Sequence, residues 1–365
     1  MKKILLSSLI VLICISIVAT FSLVGCKTAS TTTTVAAETT AAAETTKAAE
    51  TTTTAAAETT SGKPLEFVII YKGIHPWYDP CGAGFADAAK EIGGINTRIL
   101  ASKDFTGEAQ AKLMEDAIAS KVDGIAIAVV DAGALTPMIN EAMSKGIPVI
   151  CYDDHAADSQ EIMFIGTENL KAGQIEGEEF AKLMNYKGNY IIWVQDLTSA
   201  NLKLRTQGIR DSVKKYPDMK ELSDVQLGGY NPAEGITKAE NILQAYPNIN
   251  GTAECGMNGA IGMYMAMKEK GMKPGSIINI GWTTLPEIIE GVKAGYIQGV
   301  VRQNPYAMGY LSTYALKWYI EGKRPTEKFF DSGVVFAKGD EVDTVDQVNM
   351  KKIPQMLEEF KKLLK

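Results

Sequence analysis

Between residues 65 and 321, short apolar runs alternate with stretches in which apolar residues recur every three or four positions. The runs of strand length are Leu65–Tyr71, Thr97–Ala101, Gly124–Val130, Pro148–Tyr152 and Ile162–Gly166. A second series comprises Tyr190–Gln195, Asp224–Gly228, Gly251–Cys255, Ile277–Trp282 and Ile297–Arg302. Helical periodicity fills the first series at Pro80–Ile92, Glu108–Ser120 and Ala134–Ser144. It continues at Lys171–Asn185, Leu202–Lys215, Ala233–Ala245, Gly259–Lys270, Leu285–Lys293 and Tyr306–Glu321. Near-continuous Val/Ile strands separated by helices predict parallel sheets covered on both faces. Gly146-Ile147-Pro148 and Gly188-Asn189 supply helix stops between them. Two such series predict an α/β protein of two doubly wound lobes.

The first 62 residues follow a different pattern. Lys2-Lys3 precede an apolar run from Ile4 to Val18, and Leu23-Val24-Gly25-Cys26 comes next. This order reads as a secretion signal over residues 1–25, with a retained membrane anchor as the alternative. Cys26 after Leu-Val-Gly resembles a bacterial lipobox, which implies cleavage before Cys26 and acylation of the new terminus. Two or three acyl chains anchor durably where one is marginal. Residues 27–62 hold 15 Thr, 11 Ala and 4 Glu, including four copies of Ala-Ala-Glu-Thr-Thr, with Val35 as the only large aliphatic. Such a segment cannot bury enough apolar area to offset its ordering entropy. Beyond the Cys26 whose acylation the lipobox implies, the chain to residue 62 is therefore expected to be a disordered tether outside the membrane, of a length that suits a Gram-positive wall.

Composition narrows the functions available to the folded part. The 365 residues are 46% hydrophobic and 22% charged with a net charge of −6, which excludes a polytopic membrane protein and argues against nucleic acid as a partner. Cys81, Cys151 and Cys255 are odd in number and lack C-x-x-C spacing, and the chain has only two histidines, His75 and His155. No metal site, disulfide framework or cofactor is expected. Gly82 and Gly84 fit neither G-x-G-x-x-G nor a phosphate loop, and Ser199 lacks G-x-S-x-G. No catalytic set is evident, so an enzyme is not expected.

In doubly wound sheets ligands bind outside the carboxyl ends of the strands, and the residues there are polar and aromatic. Asp153-Asp154 follows Pro148–Tyr152, and a carboxylate accepts paired hydrogen bonds from the adjacent hydroxyls of a polyol. His75-Pro76-Trp77-Tyr78 follows the first strand, offering aromatic faces to the C–H face of a sugar ring. Arg205 begins the helix after Trp193–Asp196, with Asn201 one turn earlier on the same face. The competing explanations are a helix cap for the Asp pair, loop packing for the aromatics and a solvated helix position for the Arg.

From Lys63 to about Val335 the chain resembles the type I periplasmic binding proteins of the ribose-binding, sugar ABC transporter family. The resemblance lies in His75-Pro76-Trp77-Tyr78, Pro148–Asp153, Arg205-Thr206-Gln207-Gly208, Gly229-Tyr230-Asn231, Ile280-Gly281-Trp282 and Val301–Pro305. It implies lobe closure about three crossing segments, near Glu168-Asn169, Gln303-Asn304 and Ser332–Val334. The lobes would then be 63–168 plus 304–333 and 169–303 plus 334–365. Implied ligand-binding residues are Lys72, His75, Trp77, Tyr78, Asp153, Asp154, Asn201, Arg205, Tyr230, Gly256, Met257, Thr283 and Gln303. Gly256 and Thr283 replace the family's Asn and Asp and remove two hydroxyl partners, so the implied ligand is a carbohydrate-like polyol whose recognition departs from that of ordinary ribose or glucose. Lys72 with Tyr230-Asn231 is similar to receptors of a furanose-derived quorum signal, which however need no Arg205. The implied partner is an ABC permease, and the implied state is a monomer.

Overall fold

The computed structural model describes residues 62–365. The expected signal segment, Cys26 and the tether up to Ser61 lie outside the described residues. The first lobe is built from β1 (Leu65–Ile70), α1 (Asp79–Ile92), β2 (Ile95–Leu100), α2 (Gly107–Ala119), β3 (Gly124–Ile127), α3 (Ala132–Ser144), β4 (Val149–Tyr152) and β5 (Phe164–Gly166). The second contains α4 (Asn169–Leu183), β6 (Gly188–Val194), α5 (Ala200–Val213), β7 (Met219–Glu221), β8 (Gln226–Leu227), α6 (Pro232–Ala245), β9 (Gly251–Glu254), α7 (Asn258–Glu269), β10 (Ile278–Trp282), α8 (Pro286–Lys293) and β11 (Gly299–Gln303). The chain then returns to the first lobe for α9 (Pro305–Ile320) and β12 (Phe329–Asp331). After β12 it crosses back for β13 (Val334–Ala337) and α10 (Val345–Lys351), and it ends with α11 (Ile353–Lys361).

The sheet orders are β12-β5-β4-β3-β1-β2 and β13-β11-β10-β9-β6-β7, with β8 beside β6. All pairings are parallel except β11 with β13. Alternation along β1 sends Phe67 and Ile69 into one apolar cluster and Val68 and Ile70 into another. In β6 it sends Tyr190, Ile192 and Val194 to one side and Ile191 and Trp193 to the other. Each sheet is thus buried on both faces, as the Val/Ile runs predict.

Two helix pairs approach backbone to backbone. A Cβ on Gly309 would lie 1.8 Å from the Cys81 carbonyl oxygen, and one on Gly84 2.2 Å from that of Tyr306. Gly84 therefore serves the packing of α1 on α9. In the second lobe a Cβ on Gly173 would lie 2.1 Å from the Arg205 carbonyl oxygen, so α4 presses against the turn of α5 that carries Arg205.

The three expected crossings are present, and the chain makes a fourth. Residues 334–365 were expected in the second lobe, but α11 docks on the first. Phe360 stacks on Trp318 at 5.8 Å and meets Phe330 edge-on at 5.0 Å, while Arg324 and Lys365 exchange backbone hydrogen bonds of 2.8 and 3.0 Å. The reason is amphipathicity: Ile353, Leu357 and Phe360 form one apolar stripe and find their cover on α9. The segment Asp224–Gly228 shortens to the two-residue β8, and β7 was not anticipated, because Met219-Lys220-Glu221 carries a single apolar side chain.

Candidate functional site

The carboxyl ends of the strands in both sheets face a cleft between the lobes. On the first lobe's wall, β4 ends in a three-residue turn closed by the Asp154 N–H donating to the Tyr152 carbonyl at 2.7 Å. The central residue, Asp153, has φ 61°, an uncommon conformation that Asp tolerates better than most residues. The turn sends successive carboxylates in different directions. Asp153 lines the cleft and accepts from the Tyr78 hydroxyl at 3.2 Å. The Lys72 ammonium lies 3.6 Å from Asp153 and 3.3 Å from Asp154. Burial acts against the Lys72 charge, but the two carboxylates outweigh it and hold the amine above its ordinary pKa. Burial also raises the Asp153 carboxyl, against the opposing pull of Lys72 and Arg205.

The aromatic part of this wall is layered. Tyr78 stacks on Tyr71 at 5.0 Å and meets Trp77 edge-on at 4.9 Å. His75 accepts the Trp77 N–H at Nδ1, 3.1 Å, and burial lowers its pKa. His75 therefore both caps the turn Pro76–Tyr78 and lines the cleft as a neutral ring.

Arg205 dominates the opposite wall. Its Nε donates to Asn169 Oδ1 at 2.9 Å, its Nη1 donates to the Cys255 carbonyl at 3.0 Å, and its guanidinium lies over Trp282. Trp282 donates its indole N–H to Glu176 at 2.7 Å, and burial holds the Glu176 carboxyl well above the usual range. With those arms fixed, Nη2 is a buried donor with no protein partner. A buried donor of this kind is costly unless a ligand completes it.

Asp196 accepts from the backbone and hydroxyls of Thr198 and Ser199 at 2.7–2.8 Å and from the Tyr230 hydroxyl at 2.5 Å. Burial opposes its charge, yet these bonds hold the carboxyl at about 2. Thr283 adopts φ 72°, a rare conformation for a β-branched residue, and its N–H donates to Val301 at 2.9 Å. At the hinge, Gln303 Nε2 donates to Thr167 Oγ1 at 2.9 Å.

Twelve of the thirteen expected residues line this cleft: Lys72, His75, Trp77, Tyr78, Asp153, Asn201, Arg205, Tyr230, Gly256, Met257, Thr283 and Gln303. Asp154 does not. It sits behind Lys72 and accepts the His155 N–H at 3.0 Å, because the Asp153 turn points it away. Met257 crosses the cleft to join the first lobe's apolar cluster. Asp196, Ser199 and Leu202 also line it; they belong to the strand-end segment Asp196–Arg205, from which the sequence reading singled out only Asn201 and Arg205, while Phe105, Gln195 and Trp282 were missed. Phe105 follows β2, so the strand-end rule carried that signal. Gln195 fills the space beside Gly256, where a Cβ would come within 2.8 Å of it.

Two α/β lobes joined by crossing segments around a polar, aromatic cleft are the architecture of the type I periplasmic binding proteins. The chain belongs to that family: the periplasmic binding protein domain matches residues 66–324. Among its relatives, the D-apiose import binding protein of Actinobacillus succinogenes is 26% identical over 222 residues, 60% of this chain and 70% of that protein. The D-allose-binding periplasmic protein of Escherichia coli is 27% identical over 257 residues, 67% and 81% of the two chains. The crystal structure of an ABC transporter solute-binding protein from Burkholderia graminis in complex with D-arabinose superposes with a TM-score of 0.74 at 30% identity, covering 78% of this chain and 98% of that one.

Proposed function

We propose that the protein is a receptor, not an enzyme, that captures a monosaccharide by lobe closure and delivers it to an ABC permease. The observation that carries this reading is the unpartnered Nη2 of Arg205 facing a cleft whose other wall presents Asp153, Trp77 and Tyr78. A carboxylate and a guanidinium arm on opposite walls suit vicinal hydroxyls and a ring oxygen, while indole and phenol rings suit the C–H face of a sugar. The relatives named for D-apiose and D-allose, and the neighbour bound to D-arabinose, support the same ligand class. Asn231 spends its side chain capping α6 and bonding Glu234, so the furanose-derived signal gains no support from it.

Tethering completes the proposal. Acylation of Cys26 would hold a monomeric receptor outside the membrane on the Thr/Ala/Glu segment that follows. The test is native mass spectrometry of the purified protein, then a thermal-shift screen of D-arabinose, D-ribose, D-allose and D-apiose. A retained or stabilising sugar, with a smaller radius of gyration in its presence, is expected. Failure of every sugar to bind, or binding without compaction, would remove the reading, because a ligand shifts an equilibrium only through differential affinity.

A further inference from the structure

We propose that Phe105 and Tyr230 form a clasp across the mouth of the cleft, made only in the closed state, that restricts the site to a single unextended sugar ring. The two side chains come from opposite lobes, Phe105 from the segment after β2 and Tyr230 from the loop after β8. Their rings stack with centroids 4.9 Å apart and planes 25° from parallel. Among the residues lining the cleft, the only ones with partial exposure are His75, Phe105, Gln195, Asp196 and Tyr230. These five outline the mouth, and the stack spans it.

Both rings are seated independently of each other. Phe105 lies over Gly73, where an added Cβ would come within 2.6 Å of the ring. Tyr230 is held by its hydroxyl on Asp196, which Thr198 and Ser199 fix in turn, and by its N–H on Glu234 at 3.2 Å. Its hydroxyl is thereby occupied, leaving the ring as the surface it offers. Phe105 packs only at the margin of the first lobe's core, and Tyr230 belongs to no apolar cluster. The contact thus lies outside the core of either lobe. Aromatic stacks of this geometry shift a two-state balance by about 2- to 13-fold, here toward closure. A glycosidic extension leaving the cleft through its mouth would have to part the two rings and lose that shift as well as the space.

The ligand part of this inference rests on the sugar-receptor reading, whereas the closure part does not. Two measurements separate them, on wild type, Phe105→Ala and Phe105→Leu. The first is the distance distribution, without ligand, between spin labels placed one on each lobe. Both variants should move population toward the longer distance by about 2- to 13-fold, and an unchanged distribution in a folded variant overturns the clasp. The second is calorimetry with D-arabinose, D-ribose and D-allose and with their methyl glycosides. Wild type should prefer the free sugar by about 100-fold or more, and Phe105→Ala should narrow that preference at least about tenfold. An unchanged preference overturns the size restriction. If no sugar binds wild type, the receptor reading fails and the size restriction with it, and the label distances alone decide the clasp.

Discussion

The guanidinium carbon of Arg205 lies 3.7 Å above the centre of the Trp282 ring, so the cation is fixed from below before any ligand arrives. This support, with Asn169 and the Cys255 carbonyl, leaves one nitrogen, Nη2, without a partner. Truncation of Arg205 should cost about 2–4 kcal/mol of binding, or roughly 30- to 1000-fold in affinity. Arg210, one helix turn further on, pairs with Glu221 at 2.6 Å in a half-exposed ion pair and is the control. Arg210→Ala should stay within about threefold. Calorimetry with the screened sugar compares them, and equal behaviour of two folded variants would contradict the placement of the ligand.

Glu254 gives stability a defined pH dependence. It accepts the N–H groups of Gly256 and Ala260 at 3.0 and 2.9 Å, yet burial outweighs them and raises its carboxyl to about 7. Between about 4.3, the value in an unfolded chain, and 7, the folded protein holds a proton that the unfolded chain has released. Stability therefore falls as pH rises through that window and levels off above it. From pH 5 to 7.5 the loss due to this group should be about 2–3 kcal/mol, and Glu176 adds in the same direction. Urea unfolding at the two pH values should show a correspondingly smaller loss in Glu254→Gln. An unchanged loss would mean that Glu254 is ionised throughout.

The last helix should be part of the first lobe's stability. Phe360 is fully buried against Trp318 and Phe330. Phe360→Ala should cost about 3–5 kcal/mol, visible in a calorimetric scan, whereas the exposed Val348→Ala on α10 should change little.

Gly256 is fitted to Gln195 and Glu254. A Cβ there would lie 2.8 Å from Gln195 and 2.9 Å from the Glu254 carboxylate. Gly256→Ala should displace the Gln195 amide from the cleft and weaken sugar binding by about tenfold with the fold retained. Calorimetry with a circular-dichroism control measures both.

Cys26→Ala should move the protein from the membrane fraction to the medium or leave it unprocessed. Normal cleavage with unchanged membrane retention in fractionated cells would contradict lipidation.

Much of the site was legible because strand ends are legible. Asp153, the aromatics after β1 and Gln303 each follow an apolar run, and in a doubly wound sheet those ends share one edge. Asp154 was misplaced because adjacency in sequence does not fix direction, and the φ of 61° at Asp153 turns the two carboxylates apart. Trp282 was read as strand, although a strand's final side chain can serve both the core and the cleft.

The sequence by itself determined the two series of parallel strands and the helices between them, since burial on both faces demands the Val/Ile runs and one-sided burial the helical stripes. It also determined which strand ends carry polar and aromatic groups, whereas the three crossings followed from the family resemblance. Tertiary structure alone decided that α11 docks on the first lobe, that Lys72 is committed to two carboxylates, that Arg205 keeps one unpartnered nitrogen, and that Phe105 meets Tyr230. Each of these joins residues dozens to hundreds of positions apart. Local pattern records which face of an element is apolar, but the partner of that face, or of a buried charge, is settled only when the whole chain has packed.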